Sequence, residues 1–358
     1  MRIAILHGSN DGYGASRVLL DHARAMVRLG HTVSVVVPSD GPLGAAVEHE
    51  DGIDLTVDKK LIVLRKSRLR DAFKIPTLPA QALNADFVVV WTLALALYVP
   101  ILEIRRKKYY VAVHELLDSF TGGLLVRVFL SHSKASVTAC SQAVATWLSR
   151  NGVAANRVDV VYPILEPPVP TLKLDPSSHV IGVVGRINGH KGHIEVCKAF
   201  QSHLSHRADW RLLLAGGPYP GQEAALEDLL EVVRADDRIQ YVGEVTSFTD
   251  IAQAVDVVAC FPTRPEPFGL VPLEAWRYGK LAVGYADGGA REVLEIVGGI
   301  GVPRPTGDAS AVIAEAIERA LLVAENGNAT MSKAAVLPLF SSRQVEDSLA
   351  RAIAGERV

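Results

Sequence analysis

The chain has 358 residues, 49% of them hydrophobic and 21% charged, with 37 Lys and Arg against 39 Asp and Glu. That size favours two domains, each with its own core. The near-neutral balance excludes a disordered chain and a protein built mainly to hold nucleic acid. The charge is unevenly spread: residues 1–175 sum to +4 and residues 176–358 to −6, so an anionic partner is expected at the first half.

The opening apolar run, Ile3–Leu6, is too short for a secretory signal and reads as a strand that enters a Gly-rich turn. Thr32–Val37, Phe87–Trp91, Tyr109–Val113, Ser136–Ala139 and Val158–Val161 read as further strands. Helical patterns cover Ser16–Leu29, Leu93–Arg105, Gly122–Ser131 and Gln142–Asn151, with Gly30 placed as a helix-terminating glycine. The longest uncharged stretch, Phe87 to Leu102, is too short to span a bilayer and reads as a buried strand followed by a buried helix. Strand and helix alternating at this spacing are what parallel βαβ units require.

Prolines 163, 167, 168, 170 and 176 predict an extended linker over residues 166–178, between a domain at 1–165 and another at 179–337. In the second domain Val180–Val184, Arg211–Ala215, Ile239–Val242, Val255–Cys260 and Leu281–Tyr285 read as strands, with helices near His190–Leu204 and over Glu223–Ala235. Residues 338–358 hold one more amphipathic helix with no evident docking partner. The expected fold class is α/β, two tandem Rossmann-like doubly wound domains, with ligands at the carboxyl ends of the strands and a cleft between the domains as the default site. The cysteines Cys140, Cys197 and Cys260 are far apart in apolar runs, matching neither a disulfide framework nor a zinc pattern and pointing to a reducing compartment such as the cytoplasm.

Two segments carry chemistry. Gly185-Arg186-Ile187-Asn188-Gly189-His190-Lys191-Gly192 follows a strand and leads into a helix. Arg186 and Lys191 therefore stand where backbone N–H groups and the helix dipole already favour an anion, a pairing suited to a diphosphate. In Pro265-Glu266-Pro267-Phe268-Gly269-Leu270-Val271-Pro272-Leu273-Glu274, Pro267 and Gly269 resist helix while Pro272 fits a first turn. Glu266 then lies on the loop and Glu274 on the early helix. Carboxylates accept from sugar hydroxyls, and the amides of Phe268, Gly269 and Leu270 can donate to phosphate. Gly8, Gly12 and Gly14 do not form the dinucleotide fingerprint, which disfavours an oxidoreductase.

These runs, with Leu213-Leu214-Ala215-Gly216-Gly217-Pro218, Val242-Gly243, Glu274-Ala275…Gly279-Lys280 and Gly288-Gly289…Glu292, follow one another as in glycosyltransferase family 4, the retaining enzymes of the GT-B fold. Gly12-Tyr13-Gly14-Ala15-Ser16, Gly41-Pro42-Leu43 and His114-Glu115 resemble bacterial members that build surface polysaccharides. The resemblance implies that Arg186 and Lys191 grip the diphosphate of a nucleotide-sugar, Glu274 holds the ribose hydroxyls and Glu266 the donor sugar. It also implies that the stretch from Gly216 and the loop at Val242-Gly243-Glu244 border the donor. Gly14 and Ala15, on the loop after the first strand, would let backbone approach phosphate and acceptor, and His114 would contact the donor sugar across the cleft. Trp276-Arg277, Leu281-Ala282-Val283-Gly284 and Trp91-Thr92 depart from the family's usual residues.

No metal or other cofactor is expected, since Arg186, Lys191, amides and a helix terminus can neutralise the leaving phosphate. The expected reaction is front-face retaining transfer to a hydroxyl of a glycan or lipid-linked acceptor. A nucleotide-sugar epimerase of the same architecture and a non-catalytic nucleotide-sugar-binding protein are the alternatives. A basic segment from Lys59 to Lys74 (Lys59, Lys60, Arg65, Lys66, Arg68, Arg70, Lys74), with Arg105–Lys108, is expected either as a solvated loop or as a contact with anionic membrane.

Overall fold

A computed structural model describes residues 1–64, 74–117, 120–165, 179–219, 221–245, 247–326 and 333–355. The chain divides into two compact units, Met1–Leu165 with Pro338–Val358, and Glu166–Leu337. The proline-rich stretch 166–178 lies outside the described residues, as do Arg65, Lys66, Arg68 and Arg70.

The first unit is built on a seven-stranded, wholly parallel sheet in the order β3-β2-β1-β4-β5-β6-β7. Its strands are β1 (Arg2–His7), β2 (Thr32–Val37), β3 (Ile53–Val57), β4 (Phe87–Trp91), β5 (Lys108–Val113), β6 (Ser136–Ala139) and β7 (Val158–Val160). Its helices are α1 (Gly14–Arg28), α2 (Pro42–Val47), α3 (Ala80–Asn84), α4 (Val99–Ile104), α5 (Phe120–Phe129) and α6 (Gln142–Arg150). β4 is buried at every position, the continuous apolar run expected of a central parallel strand covered on both faces. β3, Ile-Asp-Leu-Thr-Val, goes unread in the sequence because its alternating polar residues suit an edge strand as well as a loop. The helix expected over Leu93–Arg105 is in fact a 3₁₀ segment, Leu93–Tyr98, followed by α4, with Pro100 in α4's first turn. Gly30 ends α1 in the left-handed conformation at φ 82°, as its position after the apolar repeat suggests.

The second unit holds a six-stranded parallel sheet ordered β10-β9-β8-β11-β12-β13. Its strands are β8 (His179–Val184), β9 (Trp210–Ala215), β10 (Ile239–Tyr241), β11 (Val257–Cys260), β12 (Leu281–Tyr285) and β13 (Ile300–Val302). Its helices are α7 (His193–His203), α8 (Ala224–Val233), α9 (Thr249–Ala252), α10 (Leu270–Arg277), α11 (Gly288–Val297), α12 (Ser310–Glu325) and α13 (Lys333–Val336). Phe200, Leu212, Leu214, Val257, Val283 and Ile317 are sealed in its core, each worth about 1.5–3 kcal/mol of apolar burial.

The closing helix, α14 (Ser342–Ala354), packs on α1 in the first unit, and Arg28 Nε donates to Glu346 at 2.6 Å. In both sheets the strand order reverses beside the first strand of the unit, between β1 and β4 and between β8 and β11. At such a switch point the flanking loops diverge and leave a crevice at the carboxyl ends.

Candidate active site

In the second unit the crevice is lined by turns that only glycine allows. Gly192, the N-cap of α7, has φ 82°, and a Cβ there would stand 2.0 Å from the Phe261 carbonyl oxygen. A Cβ on Gly216, at φ 144°, would stand 1.8 Å from the carbonyl oxygen of Gly185. Backbone is thus packed on backbone: the Gly216 amide donates to Gly243 (2.8 Å), the Ile187 amide to Gly217 (2.9 Å) and the Tyr241 hydroxyl to Gly216 (2.8 Å). The segments of Gly185-Arg186, Gly216 and Val242-Gly243 are brought together in this way, with Val242 exposed and the Arg186 guanidinium 5.3 Å from the Tyr219 ring centre.

The second wall follows β11. Thr263 donates its amide to the His190 carbonyl at 2.9 Å, tying the loop after β8 to the loop after β11. Arg304 donates to the Pro262 carbonyl (2.5 Å) and pairs with Asp287 (2.6 Å), which fastens the start of that second loop. The Gly289 amide donates to the Glu266 carbonyl at 2.7 Å, and a Cβ on Gly289 would meet the Pro267 oxygen at 2.1 Å. Glu266 is therefore held by its backbone while its side chain forms an ion pair with Lys191 Nζ. Phe268 is buried, Gly269 is the left-handed N-cap of α10, Leu270 is that helix's first residue, and Glu274 stands one turn further on.

The Cys260 thiol, at the end of β11, has its pKa pushed up by burial, with Glu266 and Glu274 raising it and Lys191 opposing them. All three charges therefore converge on one strand end. Such a set can place two carboxylates against hydroxyls and cations against phosphate, once Lys191 exchanges its carboxylate for a phosphate oxygen.

In the first unit, Gly14 and Ala15 are not on a loop, as expected, but open α1. With Tyr13 as N-cap the helix begins two residues earlier than the apolar repeat suggests, and the Ala15 carbonyl accepts from Trp91 Nε1 at 3.1 Å. Trp91 ends β4, stacks on His114 (4.4 Å between centroids, 24°) and meets His22 edge-on at 5.2 Å. Ala15 and His114 are thus joined through one indole.

His7, in register with Trp91 on the neighbouring strand, shares its Nε2 with Ser16 Oγ (3.0 Å), which donates to Asp11 (2.7 Å). Because Ser16 spends its proton on Asp11, His7 must be the Nε2–H tautomer. Burial pushes His7 and His22 down to about 4, and burial with His22 and His7 nearby pushes His114 down to about 3. Glu115, the next residue, is pushed up to about 7 by burial, against hydrogen bonds from the Leu93 and His114 amides.

Sequence reasoning missed His7, His22 and the hub role of Trp91. His22 sits among Leu19, Ala23 and Met26 on α1's buried stripe, the signal by which it could have been found.

Comparison with known proteins bears on this arrangement. The family model described as Glycosyltransferase Family 4 matches residues 13–167, and that described as Glycosyl transferases group 1 matches residues 178–322. The chain belongs to glycosyltransferase family 4. Among its relatives, the lipopolysaccharide core biosynthesis mannosyltransferase LpsB of Rhizobium meliloti (strain 1021) is 34% identical over 126 residues, 34% of this chain and 36% of the relative. The corresponding LpcC of Rhizobium leguminosarum bv. viciae is 32% identical over 162 residues, 43% and 45% of the two chains. The chain thus matches less than half the length of these curated relatives. HepE of Anabaena, solved in complex with UDP and glucose, aligns over 99% of both chains with a TM-score of 0.77 and 21% identity. WaaG, a glycosyltransferase involved in lipopolysaccharide biosynthesis, aligns over 98% of this chain and 95% of its own with a TM-score of 0.62 and 15% identity. These likenesses establish the fold, the paired Rossmann-like domains of the GT-B class.

Proposed function

We propose that this family member transfers a sugar from a nucleotide-diphosphate sugar to a hydroxyl of a glycan or lipid-linked acceptor in cell-envelope polysaccharide synthesis, with retention at the anomeric carbon. The observation that carries the reading is the convergence of Lys191, Glu266 and Glu274 on the end of β11, beside the loop that carries Arg186. Arg186, Lys191 and the first amides of α7 and α10 stabilise the leaving diphosphate as its charge grows. Glu274 holds the ribose, Glu266 orients the sugar, and His114 serves the transferred sugar from the first unit. The diphosphate then takes the acceptor's proton as the new bond forms, and no metal is needed for that step.

Mannose is the first candidate sugar, on the strength of the two Rhizobium mannosyltransferases, while the Anabaena complex makes a UDP-sugar the second. A screen of UDP, GDP, ADP and their sugars by thermal shift tests the reading, because a ligand bound only by the native state raises stability. Stabilisation by one nucleotide, unchanged by magnesium and lost in Arg186→Ala, is expected. No shift from any of them at millimolar concentration sinks the donor assignment, and turnover of donor without acceptor would favour an epimerase instead.

The same reading places the protein in the cytoplasm, resting on anionic lipid. Lys59, Lys60 and Lys74 are exposed, α5 turns Phe120 (84% exposed), Leu124 (46%) and Val128 (58%) outward around Arg127, and no helix among the described residues is long and apolar enough to cross a membrane. Sedimentation with anionic but not neutral vesicles at low salt is expected, and equal sedimentation removes the membrane contact.

A further inference from the structure

Thr92 follows β4 with φ 89° and ψ 149°, a conformation that is essentially reserved for glycine. A β-branched residue there is strained, and such strain persists only where the surroundings over-determine it. Two hydrogen bonds do so. The Thr92 amide donates to the Ala112 carbonyl at 2.9 Å, and the next amide, Leu93 N–H, donates to Glu115 Oε1 at 3.0 Å. The other carboxylate oxygen accepts from the His114 amide at 3.1 Å. One side chain therefore fastens the turn after β4 to the end of β5, on either side of the Trp91–His114 stack.

We propose that Glu115 is a positioning residue: it clamps the strained Thr92 turn, and through Trp91 that clamp sets the plane of the His114 ring. This assignment rests on the reading of His114 as the group that serves the transferred sugar. The stack makes the coupling mechanical. Trp91 is one bond from Thr92, is fully buried and is tied by its indole N–H to Ala15. If the turn relaxes toward an ordinary threonine conformation, the indole rotates and His114 loses the surface it lies on.

The clamp has a test that a simple packing role would fail. Glycine adopts φ 89° without strain, so Thr92→Gly needs no clamp. With 15N-histidine labelling, the His114 ring signals are assigned by their loss in His114→Gln. Glu115→Ala is expected to move or broaden them, and the double variant Glu115→Ala/Thr92→Gly is expected to return them to the wild-type positions. In assays with GDP-mannose or UDP-glucose and lipopolysaccharide core as acceptor, Glu115→Ala should lower kcat about a hundredfold, the scale of a misplacement of about 1 Å. The donor KM should be little changed, and the double variant should recover most of the loss.

Unmoved His114 signals in Glu115→Ala, or signals that Thr92→Gly fails to restore, overturn the clamp. Should Glu115→Ala not fold, Glu115→Gln, which keeps one accepting oxygen, gives the same comparison with and without Thr92→Gly. A wild-type protein that transfers no sugar refutes the transferase reading, and the ring signals still judge the clamp.

Discussion

Acid should weaken the first unit by an amount that its buried rings and its buried acid settle between them. His7 and His22, at about 4, and His114, at about 3, lie below the ordinary histidine value of 6.5, so the unfolded chain binds protons that the folded unit refuses. The stability these groups confer is complete above pH 6.5 and falls as pH drops from there toward their folded values. At pH 5.5 each has lost about 1.4 kcal/mol, about 4 kcal/mol for the three.

Glu115 acts with the opposite sign. Its folded value of about 7 exceeds the ordinary 4.5, so the folded unit holds a proton the unfolded chain has released, and stability falls as pH rises from 4.5 through 7. Between pH 8 and 5.5 it returns about 2 kcal/mol, and the histidines win by about 2 kcal/mol. Urea melts at pH 8 and 5.5, followed by circular dichroism and extrapolated linearly, read this difference together with about 1.4 kcal/mol lost at His193 of the second unit, which burial also pushes down to about 4. Glu115→Gln removes the opposing contribution and should steepen the fall by about 2 kcal/mol. A wild-type stability that is flat over that range, or a Glu115→Gln fall shallower than the wild type's, would refute the assignment of buried neutral rings.

Three further outcomes are expected. Arg186→Ala and Lys191→Ala should each lower turnover about a hundredfold, the usual loss on removing one charged donor to a developing anion; near-native turnover in both contradicts the phosphate grip. Gly189 and Gly192 share a turn and both have left-handed backbone, at φ 70° and 82°, but a Cβ on Gly189 meets nothing within 4 Å while one on Gly192 strikes the Phe261 oxygen. Gly189→Ala should therefore cost about 1–2 kcal/mol and Gly192→Ala more than about 3 kcal/mol, and equal melting temperatures would show that the close approach is not there. Trp91→Phe keeps the ring stack but removes the indole's hydrogen bond to the Ala15 carbonyl, a loss of about 0.5–1.5 kcal/mol in a thermal melt, and an unchanged melt would mean the indole bond is not made.

Much of the fold is legible because parallel strands advertise themselves. Phe87–Trp91 and Leu281–Tyr285 are buried at every position, and nothing but the middle of a covered sheet suits such runs. The loop charges are legible for a related reason: Arg186, Lys191 and Glu266 follow strands and precede helices, where chain direction alone puts them at carboxyl ends. What does not show in the sequence is which of these groups meet. Lys191 and Glu266 are 75 residues apart and pair only because β8 and β11 are neighbours. His7, Trp91 and His114 likewise share a site only through the order β1-β4-β5. Gly14 and Ala15 read as loop in the sequence, although they open α1, because a helix that starts at glycine has no propensity signal to announce it.

The two units hold their chemistry by different means, and this governs how substitutions should behave. In the second unit the close contacts are backbone against backbone, at Gly216 on Gly185, Gly192 on Phe261 and Gly289 on Pro267, so the frame stands without its charged side chains. Lys191 and Glu266 retain 29% and 18% side-chain exposure, and a pair so placed contributes about 1 kcal/mol or less. Lys191→Ala should therefore abolish most turnover while leaving the melting temperature nearly unchanged. In the first unit the chemistry-bearing rings are themselves the packing: Trp91 is wholly buried and supports His22 and His114 on two sides. Trp91→Ala should cost about 3–5 kcal/mol and reduce turnover together with stability. A Lys191→Ala variant that melts as early as Trp91→Ala would show that the ion pair, and not the glycine contacts, holds the second unit's site in shape.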